Sequence, residues 1–227
     1  MTDPQVQRLR RLDVCAVSDA LDKLQLPGVV TGLALRSSGP GGATRIAGRA
    51  ITMKVGPGQP PPGPPKHLGC TAVEQSTPDH VIVVEQRSGV EAGCWGGLLT
   101  LGAKVRGAAG VIADGPLRDV DEAVAFEFPV YSRSLTSRTA RGRVVELGTQ
   151  VPVTIGAATG GEVTVQPGDY VLADRSAVIF ISPEQIERVL EAAEMIVAKE
   201  AAMAKAILAG TPIGEVMGGN YEHMLNA

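Results

Sequence analysis

Aromatic residues make up only 3% of this 227-residue chain, with a single tryptophan. A base-stacking platform for single-stranded nucleic acid needs several such rings, so the composition argues against that class of binder. Positive charge is not in excess either. The net charge of −3 at pH 7 leaves no electrostatic footprint for a phosphate backbone. Cysteine is scarce: Cys15, Cys70 and Cys94 are odd in number, far apart and outside any C-x-x-C pattern. That count argues against a disulfide scaffold and a zinc knuckle, and a reducing compartment is expected. No apolar run approaches the ~18 residues of a membrane helix. The opening MTDPQVQRLRRLD has no apolar signal core. There is no G-x-S-x-G, P-loop or dinucleotide fingerprint, so covalent serine chemistry and nucleotide binding lack support. The expectation is a soluble cytoplasmic protein that binds neither nucleic acid nor a membrane.

What is present fits one domain over residues 1–227, since 44% hydrophobic content and 20% charged residues are ordinary for a globular core. Val6, Leu9 and Leu12 keep helical spacing, and Ser18-Asp19 suits the cap of a second helix carrying Leu21 and Leu24. Residues 28–42 read as a glycine-rich loop. Strands are expected over 46–55, 80–84, 128–131, 151–155, 162–165, 170–173 and 178–181. Between the first two lies GPGQPPPGPP, residues 56–65, with six prolines in ten. It excludes helix and ladder and predicts an extended surface loop, a tolerated insertion or a PxxP-type partner site. A long helix over 183–209 closes the chain. Ser182, Pro183 and Gln185 form its start, and Gly210 with Pro212 its stop. Its apolar stripe at intervals of three and four includes Val197 and Ala204. Glu200 falls on that stripe, where a carboxylate needs solvent, a cation or an interface.

The stretch from Gly93 to Ala123, GCWGGLLTLGAKVRGAAGVIADGPLRDVDEA, concentrates the chemistry. Gly96-Gly97 opens a helix that ends near Gly107. A short strand, Val111-Ile112-Ala113, follows and is broken at Asp114-Gly115-Pro116. A glycine-led helix start offers free N–H groups to a carboxylate or phosphate. Asp119 and Glu122, three apart, suit a hard divalent cation held directly or through water. The same pair also reads as a capping box that needs no function. Arg118 beside them suits a substrate carboxylate and a developing enolate, or else a surface ion pair with Asp121 or Glu122. Asp114 reads as a turn residue, and Asp19 as either a cap or a site residue. His67, His80 and His223 are scattered and have no partner at ligand spacing.

With these residues in view, the chain resembles the RraA-like family. That family includes the regulator of ribonuclease activity A and class II aldolases acting on 4-hydroxy-4-methyl-2-oxoglutarate and 4-carboxy-4-hydroxy-2-oxoadipate. The family signature is a glycine or acid, twenty residues, Arg-Asp, two residues and an acid. Gly97, Arg118, Asp119 and Glu122 match it. VSDAL at 17–21, GVIADGPLRD at 110–119 and PGDYVLAD at 167–174 match as well. The dedicated aldolases resemble an acid-x20-Arg-Asp form, where this chain has Gly97, and Arg175-Ser176 stand where an acidic-glycine turn is expected.

The resemblance implies an α/β-β-α sandwich with a mixed β core and peripheral helices. It implies a homotrimer, or a hexamer of two trimers, with active sites between subunits. Asp119 would bind Mg2+ or Mn2+, with Glu122 ordering metal-bound water. Leu98 and Leu99 would offer N–H groups to a pyruvate carboxylate, beside Gly97. Arg118 would contact the carbonyl that becomes the enolate, and Glu200 would supply an acid from a neighbour's last helix. The implied activity is a lyase on 2-oxo dicarboxylic acids, by retro-aldol cleavage or oxaloacetate decarboxylation. The alternative is a non-catalytic regulator that binds a ribonuclease.

Overall fold

The computed structural model describes residues 3–37, 43–59, 61–64 and 66–218. Pro60, Pro65, His223, residues 38–42 of the expected loop and the last residues of the 1–227 span lie outside it. The first half of the chain forms α1 (Pro4–Leu9), α2 (Val14–Lys23), β1 (Val29–Val30), β2 (Ala34–Leu35), β3 (Ile46–Gly56), α3 (Cys70–Gln75), β4 (His80–Glu85), α4 (Gly97–Arg106) and β5 (Gly110–Leu117). The second half forms α5 (Val120–Ala125), β6 (Val130–Leu135), β7 (Val145–Thr149), β8 (Val153–Gly156), β9 (Glu162–Val165), β10 (Tyr170–Ala173), β11 (Val178–Ile181), α6 (Ile186–Leu208) and α7 (Ile213–Val216).

The main sheet is mixed, in the order β1-β11-β10-β3-β4-β5-β6-β2, with β7 also paired to β3. Strands β3 to β6 are parallel, because a helix returns the chain between each pair; the others are antiparallel. Side-chain alternation sorts the core into layers. Ile51, Met53, Ile82, Val84, Val111 and Ala113 face α3, α4 and α5. Ala50, Val81, Val83 and Ile112 face the opposite way, onto the β8–β9 hairpin. At the antiparallel end, Leu172 and Ile179 pack on α1, α2 and α6. This is a single α/β domain with helices outside a mixed sheet, as the resemblance implies. Among the described residues no helix is long and apolar enough to cross a membrane.

Several boundaries differ from expectation. The second helix is capped by Asp13, whose carboxylate accepts from the Ala16 N–H at 2.9 Å, rather than by Ser18-Asp19, which lie inside it. The presumed loop after Gly28 contains β1 and β2, too short to carry a period. Strand β5 is not broken at Asp114-Gly115-Pro116 but runs to Leu117 across a register shift. The strand expected at 128–131 is β6, displaced to 130–135, and the one expected at 151–155 is β8. Strand β7 was not anticipated, since only Gly148 of its five residues is fully buried. Helix α6 begins at Ile186 after a turn. There Gln185 accepts from Arg188 at 2.9 Å instead of closing a capping box.

Candidate active site

In sheets of this kind the chain turns from strand to helix at the carboxyl ends of the parallel strands, and ligand crevices lie at that edge. A cavity of about 640 Å3 opens there. The exit of β4 leads to Gly96 and Gly97, which open α4; the exit of β5 delivers Arg118 and Asp119. A run of backbone bonds holds the two exits together. Cys94 N donates to Pro116 O at 3.0 Å, and Arg118 N to Trp95 O at 3.0 Å. Trp95 is buried and its indole N–H donates to Thr100 Oγ1 at 3.0 Å, which locks the first turn of α4 in place.

Asp119 decides the geometry. It occupies the left-handed region (φ 59°, ψ 40°), which Asp tolerates better than most side chains. It stands at the N-cap position of α5 yet makes no side-chain cap there. Its carboxylate turns instead to α4, accepting from Gly97 N–H at 3.1 Å, and lies 3.3 Å from Arg118 Nε. The capping-box reading of Asp119 and Glu122 is therefore set aside, and so is pairing of Arg118 with Asp121 or Glu122. The remaining first-turn donors of α4, Leu98 and Leu99 N–H, have no acceptor among the described residues, and both residues line the cavity.

The glycines are there for room. A Cβ on Gly97 would lie 1.7 Å from Glu122 Oε2 and 3.3 Å from Asp119 Cβ. A Cβ on Gly96 would lie 2.9 Å from Asp119 Oδ2, and one on Gly93 would lie 2.9 Å from Arg118 Cδ. Both carboxylates and the guanidinium thus lean on the same backbone.

The family model described as RraA-like: Aldolase/RraA matches residues 14–180, a span that holds this entire arrangement. The chain belongs to the RraA-like family. An uncharacterised protein of Methanocaldococcus jannaschii is 33% identical over 127 residues, which are 56% of this chain and 58% of that protein. This RraA-like chain therefore matches little over half the length of that relative. A Halalkalibacterium halodurans protein, named provisionally as a 4-hydroxy-4-methyl-2-oxoglutarate aldolase, is 27% identical over 206 residues, 89% of this chain and 88% of that one. A solved structure of an uncharacterised Pseudomonas syringae pv. tomato protein superposes with a TM-score of 0.79 at 27% identity, covering 94% of this chain and 96% of the other.

The RraA-like fold thus brings together Gly97, Leu98, Leu99, Arg118, Asp119 and Glu122. It does not bring Glu200 to them within one chain. Glu200 does not line the cavity; it is exposed on α6, where burial, then Asp13 and Asp19, hold its pKa above the usual carboxylate value. Asp19 is likewise raised, by burial first and then by Asp22 and Asp13, and it does not line the cavity. Among the described residues no group of three or more His, Cys, Asp or Glu is placed to hold a metal. The donors present at Gly97 are two carboxylates, which suits a hard cation that keeps most of its water and does not suit zinc.

Other candidates turn out structural. Asp114 is buried, its carboxylate accepting from Arg133 Nε at 2.9 Å and Gly156 N at 2.7 Å, with Arg87 Nε at 3.4 Å. His80 accepts from Thr77 N at 3.1 Å, and burial lowers its pKa. Burial pushes the Cys94 thiol up to about 12, which removes it as a nucleophile. Asp174 accepts from Val14 N at 3.1 Å, so the end of the PGDYVLAD motif joins β10 to the start of α2. His67, which sequence reasoning left without a partner, lines the cavity together with Leu68, Thr139 and Arg141, which it missed. No periodicity or motif marks them.

Proposed function

We propose that this chain is a divalent-metal-dependent carbon–carbon lyase acting on 2-oxo dicarboxylic acids and releasing pyruvate. The observation that carries the reading is Asp119: a left-handed residue whose carboxylate is turned away from its own helix, toward Gly97 N and Arg118. Mg2+ or Mn2+ held by Asp119, with Glu122 acting through water, would polarise the 2-oxo group as a Lewis acid. The chain's own residues do the rest. The Leu98 and Leu99 N–H groups, at the positive end of α4, receive the substrate's carboxylate. Arg118 places its guanidinium beside the 2-oxo oxygen, where negative charge gathers as the bond to C4 breaks and its electron pair moves to the enolate. In retro-aldol cleavage the C4 hydroxyl would give its proton to water at the site as that bond breaks, and C4 becomes the carbonyl carbon of the second product. In oxaloacetate decarboxylation the departing group is CO2 and no hydroxyl proton has to be taken. Both end in protonation of the pyruvate enolate at C3.

The site is completed between subunits of a trimer, or of a pair of trimers, in a reducing cytoplasm, with Glu200 of one chain serving another. Supporting this, the last turns of α6 leave Leu208 90% exposed and Ile213 beyond them 62% exposed, apolar surface that a neighbour would cover.

The test is pyruvate release from oxaloacetate and from 4-hydroxy-4-methyl-2-oxoglutarate, with Mg2+, Mn2+ or EDTA. Arg118→Ala is expected to cost about 10²–10³-fold in kcat, and EDTA to abolish turnover. A folded protein that gives no turnover above metal alone sinks the lyase reading and favours a regulator that binds a ribonuclease.

A further inference from the structure

The first turn of α4, which carries the Leu98 and Leu99 N–H groups, is held from two sides. On the core side the Trp95 indole N–H donates to Thr100 Oγ1, and that hydroxyl donates to Gly96 O at 3.0 Å. On the outer side stands α3. Gly69, just before it, packs so closely on Leu99 that a Cβ there would lie 2.9 Å from Leu99 Cδ1. A Cβ on Gly102, one turn further along α4, would lie 3.1 Å from Val73 Cγ1 of α3. Gly69 has a φ of 82°, in the left-handed region, and makes no side-chain cap for α3.

The chain before Gly69 does little to hold it there. Between Gly56 and Cys70 the connection is rich in proline, which has no N–H to donate. Most of its bonds stay within itself or reach only α3. His67 Nδ1 and Leu68 O lie 2.8 Å apart, Cys70 N donates to His67 O at 3.3 Å, and Val73 N donates to Gly69 O at 3.0 Å. Lys66 Nζ pairs with Glu74 at 3.3 Å. Among the described residues, one hydrogen bond ties this connection to a more distant part of the chain. Gly69 N donates to Glu146 Oε2 at 2.7 Å, across 77 positions of sequence.

Glu146 is itself fixed. It stands on β7 opposite Val55 of β3, and its Oε1 accepts from Thr149 Oγ1 at 2.5 Å. A half-buried carboxylate with both oxygens engaged makes a firm anchor, because a hydrogen bond to an ionised acceptor is stronger than one between neutral groups. Glu146 does not line the cavity, so it acts only through what it holds.

We infer that Glu146 is a positioning residue for the lyase site: by holding Gly69 against Leu99 it sets the direction of the first-turn N–H groups of α4. The inference rests on the proposed seating of the substrate carboxylate at those groups. That carboxylate is held alike before and during bond cleavage, so poorer aim weakens substrate binding and spares the chemical step. A general loss of stability would instead lower the active fraction, and with it kcat.

The test combines amide hydrogen exchange with steady-state kinetics on the full chain. Glu146→Ala is expected to speed exchange over residues 69–75 and 97–103. It should raise KM on the order of tenfold while kcat stays within about twofold. Glu146→Gln keeps a carbonyl oxygen for Gly69 N and should return both readings near the wild type. Unchanged exchange over 97–103 in Glu146→Ala overturns the inference, and so does a fall in kcat at constant KM. Damage in Glu146→Gln equal to that in Glu146→Ala overturns it as well, because the Gly69 bond is then not the route. Faster exchange rescued by Gln, in a protein with no turnover, overturns the proposed reaction and leaves Glu146 as the anchor of α4.

Discussion

At the scale of single residues, Asp119 carries two tasks that substitution can separate. Asp119→Ala removes the acceptor for Gly97 N and leaves a residue poorly suited to positive φ. It should cost about 1 kcal/mol, as loss of a helix cap does, and abolish metal-dependent turnover. Asp119→Asn keeps an acceptor, so urea unfolding should shift by only a few tenths of a kcal/mol while turnover is lost all the same. Equal loss of stability in both variants would mean that Asp119 does not cap α4 as described. His80 gives a pH dependence. Burial, chiefly, lowers its pKa in the folded state, so its contribution to stability is full above the unfolded value of about 6.5 and is lost as pH falls below it. Unfolding free energy should therefore decline from pH 7 toward pH 5, and His80→Asn should flatten that part of the curve. The signature residues at this scale were legible in sequence because Arg-Asp-x-x-Glu lies on one short segment. Arg141 was not, because it reaches the cavity from a separate turn.

At the scale of elements, the β8–β9 hairpin owes its place to Asp114 on β5. Arg133 on β6 donates to Asp114 and to the carbonyls of Thr31 and Gly156, so one guanidinium ties three segments. Arg133→Met strips a buried carboxylate of its nearest cation. We expect a loss of about 2 kcal/mol and faster amide exchange confined at first to residues 153–165. Uniform exchange across the sheet would contradict a local clamp. The strongly apolar strands β4, β10 and β11 were readable from composition alone, since both of their faces are buried. Strand β7 and the true cap of α2 were not. The first is held by its ladder to β3, and the second by an aspartate one turn earlier than the best capping signal.

At the scale of the whole molecule, the last helix is the unfinished part. Its first half buries Ile186, Val189, Leu190 and Ala193 against the chain's own core, and its last turns bury almost nothing. The 23.5 kDa chain should run in light scattering at three or six times that mass. Leu208→Glu combined with Ile213→Glu should lower that mass and depress turnover without unfolding the monomer. A monomeric wild type with full turnover would remove Glu200 from the reaction.

From the sequence by itself, periodicity marked most of the strands and the helices, the resemblance to the RraA-like family implied the fold class, and the Gly97-x20-Arg118-Asp119 spacing singled out the candidate site residues. These are short-range matters, set within one or two elements. Only the tertiary structure decided that Asp119 caps α4 rather than α5, that Glu200 stands apart from the cavity within one chain, and that Arg141 lines that cavity. Each depends on which distant segment packs alongside, and no local pattern records that.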